Sequence, residues 1–272
     1  MTAEIAPQKQ MRLRYAGTCR LCGLELAART LAVYERASQT VRCVDCSEDT
    51  TAEPPVVDPG APGASARREY QRRRAKDEQA IRDRHPRTAR LRLALGSERR
   101  STKSWATGAT GEEQLGAALE RKASNRLRVL HDRRIPGSRA NIDHIVVTPA
   151  GVWVIDPKRY VDQRPVRRVE GGVVRPRTER LFVGGRNRTP LVEGVEKQLG
   201  VLREIVGSDV PLRGVLCFIE ASWPVFGGDF RIREIDVVWP RRLHAILDEE
   251  GPLVESRIEQ LYQQLGLALP PA

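Results

Sequence analysis

The chain has 272 residues, a formal charge of +11 and a sequence pI of about 9.9. Its length suits one large domain and a small one, and a content of 40% hydrophobic residues is enough to bury an ordinary core. The basic excess favours nucleic acid as a partner, no apolar run is long enough to span a membrane, and the first ten residues lack the apolar centre of a signal peptide.

Residues 1–50 are predicted to form a small zinc ribbon. Cys19 with Cys22, and Cys43 with Cys46, make two C-x2-C pairs, and two such turns complete a tetrahedral zinc site. Without a membrane-spanning run or a signal peptide, the protein is expected in the cytoplasm, where cysteines are metal ligands more often than disulfides. Two disulfides, or a redox-active pair, are the alternatives.

Residues 51–100 are predicted to be a linker followed by a basic helical arm. The stretch "SEDTTAEPPVVDPGAPGASA", residues 47–66, is rich in Pro, Gly, Ala and acids and is predicted to be a flexible or semi-extended linker. Residues 67–100 hold 13 Lys and Arg against 5 Asp and Glu, so most of the excess charge lies there. This arm is either a solvated helix or a surface that binds phosphates, for which Arg72, Arg73 and Arg74 are the candidate residues.

Residues 101–272 alternate helical and strand patterns, as in an α/β domain. The segments "NIDHIVV" and "VWVID" are predicted to be strands joined as a hairpin, which makes the sheet mixed rather than purely parallel. A helix over "LVEGVEKQLGVLREIV" and a strand over "RGVLCFIE" follow, and Cys217 in that strand is expected to be a core residue. Helices are predicted near the end, at about 240–250 and 253–266.

The predicted hairpin carries two acids and a lysine among its apolar residues. If Thr148 to Gly151 form a tight two-residue turn, Asp143 lies opposite Asp156, and Lys158 points to the same face. A glycine bulge at 151 would instead shift the pairing by one residue. Facing carboxylates repel each other, and Mg²⁺ or Mn²⁺ would remove that conflict. A structural salt bridge between Lys158 and one of the acids is the alternative.

Two helices place further polar groups on apolar stripes. Glu112 is in phase with Leu115 and Leu119, where an unpaired carboxylate is costly. Gln198 is in phase with Val195 and Leu202 in the later helix. Acids for a cation, together with a lysine near the transition-state charge, are what metal-assisted phosphodiester hydrolysis requires.

The order of these motifs resembles the nuclease-related domain, NERD, of the PD-(D/E)xK phosphodiesterase superfamily. The matching stretches are "GATGEE" with Glu112, "NIDHIVV" with Asp143, "VWVIDPKRY" with Asp156 and Lys158, and "VEKQL" with Gln198. The flanking "LHDRRIPGSRANIDH" and "LFVGGRNRT" resemble its actinobacterial members, and the resemblance covers roughly residues 101–220.

The resemblance implies a restriction-endonuclease-like α-β-β-β-α-β core with a mixed sheet. It implies that Glu112, Asp143 and Asp156 bind Mg²⁺ or Mn²⁺, that Lys158 positions water and stabilises charge, and that Gln198 orients the site. Pro157 lacks the N–H of a regular ladder, which suits an edge or a distorted strand.

Taken together, the sequence predicts an Mg²⁺-dependent nuclease that acts on nucleic acid, with DNA favoured over RNA. Arg186 and Arg188, in the turn "FVGGRNR", are further candidates for phosphate contact. Two other functions stay open: a non-catalytic nucleic-acid-binding protein on a degenerate nuclease fold, and a zinc-ribbon adaptor for protein interaction.

Overall fold

The computed structural model describes residues 8–20, 24–35, 40–44, 56–94, 100–172, 176–225 and 228–272. The chain divides into two compact units, Met1–Val56 and Val57–Ala272. None of the described helices combines the length and the apolar character that crossing a lipid bilayer requires.

The first unit is built from short antiparallel strands. They are β1 (Gln8–Arg12), β2 (Gly17–Thr18), β3 (Glu25–Leu26), β4 (Leu31–Glu35) and β5 (Thr40–Cys43). One sheet has the order β1-β4-β5, and β2 pairs with β3. Its apolar cluster contains few side chains, namely Leu13, Cys19, Leu26, Ala32 and Cys43. The described part of this core is small, and a core of that size by itself gives little hydrophobic stabilisation.

The second unit is a mixed α/β domain, as the sequence predicts. Its elements are α1 (Ala64–Arg84), α2 (Ala89–Ala94), α3 (Arg100–Glu120), β6 (Arg128–Arg134), β7 (Asn141–Thr148), β8 (Gly151–Arg159), β9 (Pro165–Glu170), β10 (Thr178–Val183), β11 (Arg186–Asn187), α4 (Thr189–Val206), β12 (Leu212–Ile219), β13 (Phe230–Ile232), β14 (Ile235–Val238), α5 (Pro240–Leu247) and α6 (Glu255–Ala268). The main sheet has the order β13-β14-β12-β8-β7-β6. In it β12 runs parallel to β8 and β14, and the other pairs are antiparallel.

The succession α3-β6-β7-β8-α4-β12 has the α-β-β-β-α-β order and is consistent with a nuclease-like fold. A separate small sheet of order β11-β10-β9 is inserted between β8 and α4. After this insertion the chain passes through α4 and returns to the main sheet as β12, which pairs directly with β8.

Helices cover both faces of the main sheet. Side chains of α4 and α6 pack with Val152 and Val154 on one face, whereas those of α3 and α5 pack with Trp153 and Ile155 on the other. Alternate residues of a strand point to opposite faces, so a strand covered on both sides reads as a continuous apolar run. This explains "VWVI" in β8, and the buried position of Cys217 in β12 is confirmed.

The turn between β7 and β8 is the tight one. Thr148 pairs with Gly151, and the register continues outward to His144 opposite Ile155. Gly151 has a φ of 139°, a backbone conformation that residues other than glycine rarely adopt. The same register places Asp143 opposite Asp156, as the two-residue turn predicts.

The residues just before α1 pack against the rest of the second unit, in the stretch where the sequence predicts a flexible or semi-extended linker. Val57 belongs to its apolar core, and the carbonyl oxygen of Pro59 accepts a hydrogen bond of 2.7 Å from the His131 N–H. Pro62 packs against Gly116 so closely that a Cβ at Gly116 would lie 2.2 Å from the proline ring. The rest of the predicted linker up to residue 55 lies almost entirely outside the described residues.

Candidate functional site

The candidate site lies where regular pairing in the main sheet stops. The ladder between β7 and β8 ends at His144 and Ile155, one residue before Asp143 and Asp156. Pairing between β6 and β7 skips Asp143 and its opposite residue Asp132, which has a φ of 46°. Two acids are therefore set at a break in the backbone hydrogen bonding.

This break also accounts for Pro157. The sequence predicts an edge or distorted strand because proline has no N–H to donate, yet β8 is central in the sheet. The proline follows the last regular pair with β7, so that side of β8 no longer carries a ladder at this point. A proline is thus accommodated inside a central strand.

Asp143, Asp156 and Lys158 are brought together, as the sequence predicts. Burial raises the pKa of Asp143 well above its ordinary value, and the Asp156 carboxyl group, with which it interacts directly, raises it further. Lys158 donates a hydrogen bond to the Asp156 carboxylate. Burial and the neighbouring acid therefore both favour the protonated form of Asp143.

Lys158 is kept in its charged form. Burial by itself lowers the pKa of this lysine, but the neighbouring Asp156 and Asp143 outweigh burial and raise it above the ordinary value. Its side chain is 26% exposed, against 12% for Asp156. The ammonium therefore supplies a fixed positive charge and does not act as a base.

Glu112 reaches the same group of charges from α3. Its neighbours in phase, Leu115 and Leu119, are buried against the sheet, as the helical spacing predicts. Burial raises the pKa of Glu112 to about 7, Lys158 opposes the rise, and Asp156 adds to it. The carboxyl group is thus electrostatically part of the site.

Asp132 is an acid of this region that the sequence argument missed. Its carboxylate accepts hydrogen bonds from the backbone N–H of Ser65 at 2.5 Å and from the Ser65 hydroxyl at 2.7 Å. It thereby caps the first turn of α1, which lacks a capping side chain of its own at Gly63. The stretch "LHDRR" alone does not mark Asp132 as a site residue. The register of β6 with β7, which places Asp132 opposite Asp143, is needed to see it.

Gln198 lies on α4 and holds the beginning of β7. Its side-chain amide donates to the carbonyl oxygen of Asn141 at 3.1 Å, two residues before Asp143. The other amide atom, Oε1, is buried with no hydrogen-bond partner among the residues that the structure describes. Gln198 therefore positions the strand that carries Asp143, and the described contacts do not join it to the carboxylates directly.

The predicted phosphate-binding arginines occupy two places. In α1, Arg72 and Arg73 pair with Glu69, and Arg74 pairs with Glu78 at 2.9 Å. These pairs are exposed and spaced three or four residues apart, so they contribute little stability and compete only weakly with another anion.

Arg186 and Arg188 lie at the small sheet and the start of α4. Arg186 is exposed, whereas Arg188 is half-buried with its guanidinium carbon 5.6 Å from the centre of the Tyr160 ring. Tyr160 follows β8 two residues after Lys158. Arg188 thus lies in the neighbourhood of the candidate site, and Arg186 lies on the adjoining surface.

The first unit brings two of the four predicted zinc ligands together. The sulfur atoms of Cys19 and Cys43 are 3.8 Å apart, and the backbone N–H of Cys43 donates to the Cys19 sulfur at 3.3 Å. Cys22 and Cys46 lie outside the described residues. Over the described ranges, no three His, Cys, Asp or Glu side chains form a group that could hold a metal ion.

Two histidines lie beside the acids on the opposite face of the strands. The Nδ1 atoms of His131 and His144 are 2.9 Å apart, and both rings are buried. Burial lowers the pKa of His131 to about 4 and lowers the pKa of His144 as well. His144 is a core residue.

The comparison with protein families agrees with this geometry. The family model of the nuclease-related domain, NERD, matches residues 107–219. A search of curated proteins and a search of solved structures each return no match to the chain. The matched stretch begins within α3 and ends with β12, so it contains all five predicted site residues from Glu112 to Gln198 and supports a nuclease-related function.

Proposed function

We propose that the second unit is a metal-dependent nuclease that hydrolyses phosphodiester bonds in nucleic acid, with DNA as the favoured substrate. One observation carries the proposal: Asp143 and Asp156 interact directly at a break in the sheet, beside a charged lysine and within reach of Glu112. Like charges held close together in a largely buried place are costly for stability, and such groups are concentrated at functional sites.

The donor set fits Mg²⁺ or Mn²⁺. These cations prefer carboxylate oxygens, and Mg²⁺ is bound through one or two carboxylates together with water and substrate phosphate. Asp143 and Asp156 supply two carboxylates, and Glu112 is the proposed third ligand from α3. A bound divalent cation would polarise the phosphate and lower the pKa of the attacking water.

Lys158 has two partners in this scheme. Without a cation its ammonium is held by Asp156. When Asp156 is engaged by a cation, the ammonium becomes available to orient a water molecule or to donate to a phosphate oxygen. Since its pKa is raised, the lysine stabilises negative charge in the transition state.

The remaining residues position the substrate and the strands. Gln198 fixes the start of β7 through the Asn141 carbonyl oxygen and thereby the direction of Asp143. Arg186 and Arg188, and the arm residues Arg72, Arg73 and Arg74, are the proposed contacts to phosphate groups. Arginine suits this role because its planar group binds phosphate oxygens in pairs.

The first unit is proposed to be a zinc ribbon. A tetrahedral zinc with bonds of about 2.3 Å to sulfur places its thiolates about 3.8 Å apart. The Cys19 and Cys43 sulfur atoms have this separation, and the N–H donated to Cys19 stabilises a thiolate. Cys22 and Cys46 would complete the site, and bound zinc would contribute folding free energy to this unit.

Incubation of the purified chain with labelled DNA and RNA, in Mg²⁺, Mn²⁺ or EDTA, tests the proposal. Cleavage with either cation, and none with EDTA or in Asp156→Asn, is the expected result. Asp248→Asn is the matched control, because Asp248 is an exposed acid that pairs with Lys122 at 2.6 Å.

A second candidate is a nucleic-acid-binding protein without catalysis. Two observations favour it: Lys158 already neutralises Asp156, and the described residues hold no preformed group of three metal ligands. Binding of nucleic acid without cleavage under every metal condition would select this candidate and overturn the nuclease.

A further inference from the structure

An aromatic cleft opens beside the candidate site. It has a volume of about 410 Å³, within the range of roughly 300–1,000 Å³ that is usual for ligand pockets. Its walls come from the end of β12, the loop after it and the start of α5. The principal lining residues are Phe218, Glu220, Trp223, Pro224, Trp239 and Pro240.

The cleft begins one strand away from the catalytic lysine. Phe218 is paired with Lys158 in the parallel register of β12 with β8. Paired residues of neighbouring strands point to the same face, and the strands are about 4.8 Å apart. A nucleotide whose phosphate lies at Lys158 therefore has its base within reach of the cleft.

The rings form a continuous series along this edge. Ring centres are 5.7 Å apart between Tyr160 and Phe218, 6.5 Å between Phe218 and Trp223, and 5.1 Å between Trp223 and Trp239. Arg188 lies over the outer side of Tyr160. The series thus runs from a basic group beside the site to an open pocket.

The series is unusual for this composition. Aromatic residues make up only 5% of the chain, and aliphatic side chains fill most of the core. Four of the few aromatic rings are nevertheless gathered here, and Tyr160, Trp223 and Trp239 are only partly buried. The indole N–H of Trp223 is buried without an acceptor among the described residues. Core filling alone does not call for partly exposed rings or for a donor left unsatisfied.

We propose that this cleft stacks an unpaired nucleobase of a single-stranded nucleic acid whose backbone crosses the acid site. The inference rests on the proposed function and narrows its substrate to single strands or unpaired ends. Bases of a duplex are stacked on one another and cannot enter, whereas an unpaired base has two free faces. Base stacking on aromatic side chains tolerates any sequence, so the cleft selects strandedness rather than sequence.

Binding is best measured with the cleavage-blocked Asp156→Asn protein in buffer without divalent cations. The probes are a labelled single-stranded oligonucleotide of about 12 nucleotides and a duplex of the same length. The single strand should bind more tightly and quench tryptophan fluorescence. In that background Trp239→Leu should lower single-strand affinity about tenfold and leave duplex affinity unchanged, whereas Trp239→Phe should retain most of it.

The leucine and phenylalanine variants separate stacking from folding. Both variants keep an apolar side chain at position 239. Melting temperatures equal to that of the Asp156→Asn protein would show that their fold is intact. Equal single-strand affinity of the two variants and the parent would overturn the proposal, and so would a parent that binds duplex as tightly as single strand, or binds neither. Failure of the nuclease proposal is seen separately, as absence of metal-dependent cleavage by the wild-type chain while base stacking persists.

Discussion

Two buried charged regions on neighbouring strands differ in how their partners are supplied. Arg133 on β6 is fully buried, and its guanidinium donates to the carbonyl oxygens of Asp58, Gly266 and Leu269 at 2.6–2.7 Å. Two of these acceptors belong to the end of α6, where a positive charge also complements the helix dipole. Every acceptor is protein backbone, so this charge serves the fold.

The acids on β7 and β8 show the opposite arrangement. Asp143 and Asp156 interact with each other, and burial together with the mutual charge raises the pKa of Asp143. Only Lys158 offers them a positive charge within a hydrogen bond among the contacts that the structure describes. Burial alone therefore does not identify a functional charge. The distinguishing property is whether the surrounding backbone and side chains provide hydrogen-bond partners for the buried charge.

The largest expected effect is on the structural side of this comparison. Arg133→Met removes three charged hydrogen bonds and leaves buried carbonyl oxygens without donors, so unfolding free energy should fall by about 3–5 kcal/mol. Urea unfolding followed by tryptophan fluorescence measures it. Arg134→Met, at the exposed next position, should change stability by less than about 0.5 kcal/mol. A loss below about 1 kcal/mol in the Arg133 variant would contradict the structural role.

Lys158→Met tests the functional side. The substitution keeps an apolar stem and removes the ammonium, so metal-dependent cleavage should fall about 100-fold or more while the urea midpoint in Mg²⁺ changes little. Rates on a labelled single strand and parallel urea curves give the two readouts. A variant that cleaves normally but unfolds at much lower urea would make the lysine a structural partner like Arg133.

The histidine pair adds a buried group whose charged form is disfavoured. Burial holds the pKa of His131 at about 4, below the ordinary value of 6.5. Its contribution to stability is present above about pH 6.5 and is lost as the pH falls towards 4, by roughly 3 kcal/mol. Unfolding free energy measured across this window should fall less steeply in His131→Gln than in the parent. His85→Gln, outside the pair, should follow the parent, and identical slopes in all three proteins would refute the assignment.

Glu112 should show the reverse dependence, with a smaller amplitude because its side chain is only half-buried and solvent screens part of its charge. Burial raises its pKa from 4.5 to about 7, so folding favours the protonated form and stability decreases as the pH rises through this range. Without divalent cations, Glu112→Gln should exceed the parent in stability at pH 8 by about 1–2 kcal/mol. Glu113→Gln is the neighbouring control, since Glu113 pairs with Arg67 at the surface. A glutamine variant less stable than the parent at pH 8 would remove Glu112 from the acid group.

Local patterns were sufficient for much of the site. The Thr148 to Gly151 stretch leaves two registers open, and the structure shows the tight turn that sets Asp143 against Asp156. Helical phase places Glu112 beside buried leucines. The hairpin and the helical phase both involve residues close together in the chain, where strand and helix periodicities apply directly. The apolar run around Cys217 likewise predicts its buried position.

Other parts depend on contacts between distant segments. Arg133 reads as a surface charge in "LHDRR", because its acceptors at Gly266 and Leu269 lie more than 130 residues away. The capping of α1 by Asp132 likewise joins residues 67 apart. The aromatic series joins Tyr160, just after β8, to Trp239, just before α5, through Phe218 and Trp223. No spacing rule within one element brings such residues together, so only the folded chain shows these sites.

The most direct test of the central claim is thermal unfolding with increasing Mg²⁺ or Mn²⁺, followed by tryptophan fluorescence. All four tryptophans lie in the second unit, so the signal reports that unit alone. If the acids are present to bind a cation, the melting temperature of the parent should rise with cation concentration by mass action. Asp156→Asn should lose this response. A parent melting temperature that does not change with either cation would contradict the cation-binding role of the acids.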